Sequence, residues 1–183
     1  MFFSIINDSM GSNLEKSLLI SREKIFSRVK ELALQISSDY VGENPIFIGI
    51  LNGAVFFFSD LLREISIPAR IDFVRAASYG SGRTPGESVN VAMDIEVLLK
   101  GRHVIIIEDI IDTGWTLSKI VRLLNDREPS SLKVCVLINK QERREAEVKI
   151  DYCGFQVEEG FLVGYGLDYD EQYRCLPDIF TLK

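Results

Sequence analysis

An α/β fold, a twisted and mainly parallel sheet flanked by helices, is what this sequence predicts, and three observations predict it. Short, nearly continuous apolar runs recur at residues 46–51, 103–107 and 132–138, the pattern of strands buried on both faces. Stretches with helical periodicity lie between them, so strand–helix–strand units repeat along the chain. The 183 residues amount to one domain, and a domain of that size buries roughly 70% of its unfolded surface.

The elements follow in order. Over residues 21–40, Ile25, Val29, Leu32, Ala33 and Ile36 recur at three- and four-residue steps, which predicts an amphipathic helix. Ser21 is placed to cap it, Glu23 lies in its first turn, and Gly42 and Pro45 stop it. Residues 46–51 form a strand, followed by Gly53 and a helix whose core face is Phe57, Phe58, Leu61, Leu62 and Ile65. Pro68 precedes a strand over 70–77. A Gly/Ser-rich stretch over 78–88 leads to a strand near 89–93. Residues 103–107 are a buried strand, 116–125 a helix and 132–138 a strand again. Apolar runs at 160–163 and 179–182 break the alternation and predict an irregular or antiparallel addition. There is no internal repeat or linker.

Composition narrows the function classes. Hydrophobic residues make up 46% and charged residues 26%, which excludes a disordered or collagen-like chain. A net charge of −6 argues against a chain that coats nucleic acid or anionic membrane. The longest purely aliphatic or aromatic runs, such as 54–58 and 104–107, span a few residues, against about 20 for a membrane helix. Residues 1–8 lack the basic start and apolar length of a signal peptide. Cys135, Cys153 and Cys175 are far apart, and His103 is the only histidine. A reducing cytoplasm is therefore expected, and a zinc or histidine-based site is not.

In open parallel sheets, ligands sit beyond the carboxyl ends of the strands. Leu51-Asn52-Gly53, Ser78-Tyr79-Gly80, Glu108-Asp109 and Asn139-Lys140 each follow a predicted strand, so all four should share one edge. The densest chemistry is Val104-Ile-Ile-Ile-Glu108-Asp109-Ile-Ile-Asp112-Thr113-Gly114-Trp115-Thr116-Leu117. An apolar strand ends there in two carboxylates, and a loop of Asp, Thr, Gly and Thr enters a helix. Loop amides, hydroxyls and the helix N-terminus make a phosphate cradle, and Gly114 permits close backbone approach. Glu108 and Asp109 suit the vicinal hydroxyls of a sugar, or Mg²⁺ through water. Together these describe a site for a phosphorylated ribose. Gly80-x-Gly82-x-x-x-Gly86 has the wrong spacing for a dinucleotide fingerprint, and no helix follows it.

This segment closely resembles the phosphoribosyl pyrophosphate motif of type I phosphoribosyltransferases. Leu51-Asn52-Gly53 is similar to the pyrophosphate loop of that family. Ser78-Tyr79-Gly80-Ser81-Gly82 resembles the lid of its hypoxanthine-guanine members, and residues 161–177 resemble their C-terminal signature. The resemblance implies a single domain over 1–183. Its core spans about 20–145, and a purine-binding hood formed by the chain ends takes in about 150–183.

It also implies an activity: transfer of the phosphoribosyl group to hypoxanthine or guanine, giving IMP or GMP and pyrophosphate. Asp112 would act as general acid/base at purine N7, and the amides and hydroxyls of Asp112, Thr113, Gly114, Trp115 and Thr116 would bind the 5′-phosphate. Glu108 and Asp109 would hold the ribose hydroxyls. Asn52, Gly53, Ser78, Tyr79 and Arg174 would meet the pyrophosphate. Lys140 would donate to the purine 6-oxygen, Phe161 would stack on the base, and Leu162 and Asp168 would complete the base site. Mg²⁺ would be held by Asp168, Glu108 and Asp109. A cytoplasmic homodimer or homotetramer that binds neither nucleic acid nor membrane is implied as well.

Two positions depart from the family pattern. Trp115 stands where a small, polar or basic residue is usual, and its ring is expected to face outward. Asn52 stands where many members carry a basic residue, which leaves the backbone, through a strained or cis peptide, to serve the pyrophosphate. Two rivals are a transferase acting on xanthine or another base, and a non-catalytic nucleotide- or RNA-binding regulator of the same fold. The C-terminal signature argues against the first; the charge and the intact Glu108, Asp109 and Asp112 argue against the second.

Overall fold

The computed structural model describes residues 15–78, 89–92 and 95–183. Its main sheet has six strands in the order β4-β3-β2-β5-β6-β7. These are β2 (Ile46–Leu51), β3 (Arg70–Ser78), β4 (Val89–Ala92), β5 (His103–Ile111), β6 (Ser131–Lys140) and β7 (Tyr152–Val157). All neighbours run parallel except β4, which is antiparallel to β3. Helices α1 (Arg22–Asp39) and α2 (Val55–Glu64) cover one face, and α3 (Trp115–Asn125) the other.

The two cores show why continuous apolar strands were needed. In β5, Ile105 and Ile107 pack with α1 and α2, while Val104 and Ile106 pack with α3. In β2, Phe47 faces the first core and Ile46, Ile48 and Ile50 the second. Period-two alternation thus sends apolar groups to both faces. The predicted stripe of α1 is the buried one, and Ser21 Oγ caps the helix by accepting from Lys24 N at 3.5 Å.

The chain ends form the hood. Strands β1 (Lys16–Ile20), β8 (Phe161–Val163) and β9 (Ile179–Leu182) make an antiparallel sheet in the order β1-β9-β8. The Asp178 carboxylate secures it to α1, accepting from Arg22 N at 2.8 Å and pairing with Arg22 Nη2 at 3.1 Å. Gly166 brings the hood onto the end of β2: a Cβ there would lie 2.0 Å from Gly53 O.

Three features depart from the sequence expectations. The Glu108–Ile111 stretch lies inside β5, because its ladder with β6 continues to Ile111↔Asn139. β7 extends the main sheet at an edge through a half-exposed stretch whose centre is Gly154. β1 carries one buried residue, Ile20, so it shows no apolar alternation. Among the described residues, no helix is long and apolar enough to cross a membrane.

Candidate active site

A cavity of about 920 Å³ opens at the C-terminal ends of β2, β3 and β5, under the hood. Asn52 and Gly53 line one wall and follow a cis peptide between Leu51 and Asn52. Glu108 and Asp109 form the floor. The Asp109 Oδ2 oxygen occupies the space a Cβ on Gly53 would need, 1.9 Å away. Any side chain at 53 would force the Asp109 carboxylate to move. Asp109 Oδ1 accepts from Ile110 N at 2.8 Å, and Glu108 Oε1 accepts from Asp109 N at 3.1 Å. Burial, then the neighbouring Asp109 charge, push the Glu108 carboxyl well above its ordinary range.

The loop after β5 forms the next wall through Asp112, Thr113, Gly114 and Thr116. Gly114 precedes α3 with φ +88°, and no side chain caps the helix, so its first N–H groups are available to an anion. A Cβ on Gly114 would lie 2.2 Å from Ala146 O. The glycine is therefore needed for close packing against the following turn. Thr113 O accepts from Glu145 N at 3.0 Å and Ala146 N at 2.9 Å. Trp115 lies outside the cavity lining and donates Nε1–H to Glu145 Oε2 at 2.9 Å. Its ring faces outward, as expected.

Asp112 joins this cavity to a second group. Its Oδ1, buried and without a hydrogen-bond donor, lies 3.7 Å from Lys140 Nζ. Arg143 Nη1 approaches Oδ2 at 3.5 Å. Lys140, 8% exposed in its side chain, pairs with Glu142 at 3.1 Å, and its hydrogen bond holds the Glu142 carboxyl below its usual range. Glu142 in turn accepts from Gly160 N at 3.4 Å, next to Phe161. Phe161 is half-exposed and meets Tyr169 edge-on, with ring centroids 5.5 Å apart. Leu162 is buried and pairs with Thr181 in the hood sheet.

The hood supplies the last wall through Asp168, Glu171 and Arg174. Arg174 Nη2 lies 2.8 Å from Asp168 Oδ1 and 3.1 Å from Glu171 Oε2, and Nη1 donates to Gly166 O at 2.9 Å.

The Phosphoribosyl transferase domain family matches residues 19–170. The chain belongs to this family. It is 42% identical over 162 residues to a hypoxanthine phosphoribosyltransferase from Haemophilus influenzae, covering 87% of this chain and 90% of that protein. A Bacillus subtilis hypoxanthine-guanine phosphoribosyltransferase is 42% identical over 174 residues, covering 95% and 96% of the two chains. A crystal structure of a Bacillus anthracis hypoxanthine-guanine phosphoribosyltransferase superposes with a TM-score of 0.86 at 42% identity, over 93% and 99% of the two chains.

In this phosphoribosyltransferase, Asn52, Gly53, Glu108, Asp109, Asp112, Thr113, Gly114, Thr116, Asp168 and Arg174 converge on the cavity. Lys140, Phe161 and Leu162 are not in its lining; Lys140 reaches it by pairing with Asp112, and through Glu142 it connects to Gly160, which precedes Phe161 and Leu162 in the chain. Trp115 is turned away. Ser78 ends β3, and Tyr79 lies outside the described residues with the rest of the predicted lid. Sequence reasoning passed over Arg75, Glu171 and Arg144. Arg75 and Glu171 line the cavity; Arg75 lies inside β3, three residues before its end at Ser78, so the strand-end rule passes over it. Among the described residues, no three His, Cys, Asp or Glu side chains form a ready-made metal cage.

Proposed function

We propose that the chain transfers the 5-phosphoribosyl group from phosphoribosyl pyrophosphate to hypoxanthine or guanine, yielding IMP or GMP and pyrophosphate. The observation that carries this is the position of Asp112. Its carboxylate faces a cavity with a phosphate cradle and two sugar-facing carboxyls on one side, and stands against the Lys140 ammonium on the other.

The bond from C1′ to pyrophosphate breaks as a purine nitrogen attacks, through an oxocarbenium-like transition state. The amides and hydroxyls of residues 112–116 hold the 5′-phosphate. Glu108 and Asp109 orient the ribose hydroxyls. Asp112, with one oxygen free of hydrogen-bond donors, exchanges a proton at purine N7. Lys140 donates to the 6-oxygen, which adenine replaces with a donor of its own. Phe161 covers the base, while Arg174 and the backbone at Asn52 and Gly53 meet the pyrophosphate.

The cavity suits Mg²⁺: Asp109 and Asp168 offer hard oxygens from two sides, leaving other positions to substrate oxygens and water. Bound there with Asp168, Mg²⁺ would neutralise charge on the leaving pyrophosphate. A cytoplasmic homodimer or homotetramer completes the reading. A related structure, of a Trypanosoma cruzi hypoxanthine phosphoribosyl transferase (35% identical, TM-score 0.87), concerns the role of its C-terminal region in oligomeric state and activity.

The test is nucleotide formation from phosphoribosyl pyrophosphate and Mg²⁺ with hypoxanthine, guanine, xanthine, adenine and uracil in turn. Product with hypoxanthine or guanine, lost on chelation of Mg²⁺, is expected. Product with xanthine or uracil alone moves the chain to the other-base reading, and silence across the panel overturns transfer altogether.

A further inference from the structure

We infer that Arg144 is a positioning residue that sets Asp112 against Lys140 by clamping the backbone carbonyls of both, an inference that rests on the transferase reading above. Arg144 stands in the turn after β6, and its half-buried guanidinium reaches back across the strand ends. Nε donates to Asp112 O at 3.0 Å. Nη2 lies 2.8 Å from Lys140 O, 3.1 Å from Ile111 O and 2.8 Å from Asn139 Oδ1.

The place of this clamp in the sheet explains its use. Direct pairing between β5 and β6 ends at Ile111↔Asn139. Asp112 and Lys140 therefore lie one step beyond the ladder that would otherwise fix their separation. A single planar cation takes over that task, binding both carbonyls and the last paired position. Arginine suits it because its donors are set in a rigid plane and it stays charged at any working pH. A lysine would bring the charge without the plane, and could not span acceptors on two strands from one position.

The guanidinium meets the loop at its first residue, Asp112, and the Arg144 Cδ lies 3.2 Å from where a Cβ on Gly114 would stand, but the loop beyond Asp112 has backbone and side-chain anchors of its own. Thr113 O is bound by the amides of Glu145 and Ala146, and Trp115 by the Glu145 carboxylate. None of these contacts uses the Arg144 side chain. Loss of the guanidinium should thus move the acid/base and the base-reading lysine relative to each other, and leave the phosphate cradle in place. Misplacement of a reacting group by about 1 Å costs on the order of hundredfold in rate.

The test compares wild type with Arg144→Ala and Arg144→Lys. Wild-type activity on the base panel comes first; its failure overturns the transferase reading and is seen before any variant is made. In both variants kcat on hypoxanthine should fall about hundredfold, with KM for phosphoribosyl pyrophosphate close to wild type. Low-millimolar guanidinium, but not ammonium, should restore part of kcat in Arg144→Ala. Trp115 is the sole tryptophan and touches the same turn, so its emission gives an activity-independent readout. Its response to phosphoribosyl pyrophosphate should survive both substitutions. If Arg144→Ala does not fold, the split between kcat and KM in Arg144→Lys decides. Unchanged kcat, a rise in KM that matches the fall in kcat, or a folded Arg144→Ala that guanidinium does not restore would each overturn the inference.

Discussion

The Asp112 carboxylate stands 3.7 Å from the Lys140 ammonium, across the ends of two neighbouring parallel strands. The acid/base and the base-reading donor of the proposed reaction are therefore one unit. Lys140 divides its charge between Asp112 inside the cavity and Glu142 outside it. A purine entering beside Asp112 meets both functions at once, and the unit can be taken apart one residue at a time.

Asp112→Asn keeps the size of the side chain and removes its capacity to hold a proton at this position. It should lower kcat about 10²–10⁴-fold. KM for phosphoribosyl pyrophosphate should hardly move, because the amides of the loop and α3 are untouched. Steady-state kinetics with hypoxanthine decides, and an unchanged kcat removes Asp112 from the chemistry.

Lys140→Ala deletes the proposed donor for a 6-oxo group. Because it also leaves Asp112 and Glu142 without their shared cation, absolute activity falls for more than one reason. The informative quantity is the ratio of kcat/KM for hypoxanthine over adenine, expected to drop by about tenfold or more. A ratio equal to wild type assigns base selection elsewhere in the hood.

Glu108→Gln tests the buried carboxyl pair through stability. The folded protein raises the proton affinity of Glu108 by burial and by the Asp109 charge. Between the ordinary value of 4.5 and the raised one, the native state binds more protons than the unfolded chain. Stability from this group consequently falls as pH rises through that window. A neutral glutamine removes the penalty. The variant should melt above wild type at neutral pH, and the difference should close at more acidic pH, where Glu108 is protonated in both states. Melting curves across pH check this; a variant that melts lower at neutral pH contradicts it. On the proposed reaction its activity should still fall, since a ribose hydroxyl would lose a carboxyl partner.

Gly114→Ala places a methyl group against Ala146 O in a backbone region with φ +88°. Strain of that kind costs about 1–3 kcal/mol, and relief of the clash moves the phosphate loop. Both melting temperature and affinity for phosphoribosyl pyrophosphate should drop. Gly101→Ala is the control: φ is +71°, yet nothing lies within 4 Å of the added carbon. It should lose stability only, and calorimetric titration of the two variants separates the effects.

Much of this architecture was legible in the chain. The limits of β2 are those expected from Ile46–Leu51, because a buried run is bounded by Pro45 on one side and Asn52-Gly53 on the other. The loop between β5 and α3 was visible because apolar strand, carboxylates, glycine and helix start are contiguous in sequence. β7 and β1 were hidden for the opposite reason. An edge strand with exposed sides needs no apolar alternation, and its pairing partner supplies the order.

Arg143 and Arg144 show where a linear reading stops. Adjacent, chemically identical and set in a run of charged residues, they read as one solvated turn. One is an exposed cation 3.5 Å from the Asp112 carboxylate; the other binds carbonyls of Ile111, Asp112 and Lys140. The sequence by itself determined the parallel sheet, the helices on its faces and the glycine-bearing loop into α3, since hydrophobic period and turn chemistry are properties of neighbouring residues. Tertiary structure alone decided which arginine clamps the site, that Asp109 fills the space beside Gly53, and that Lys140 meets Asp112. Those contacts join segments that only strand pairing brings together.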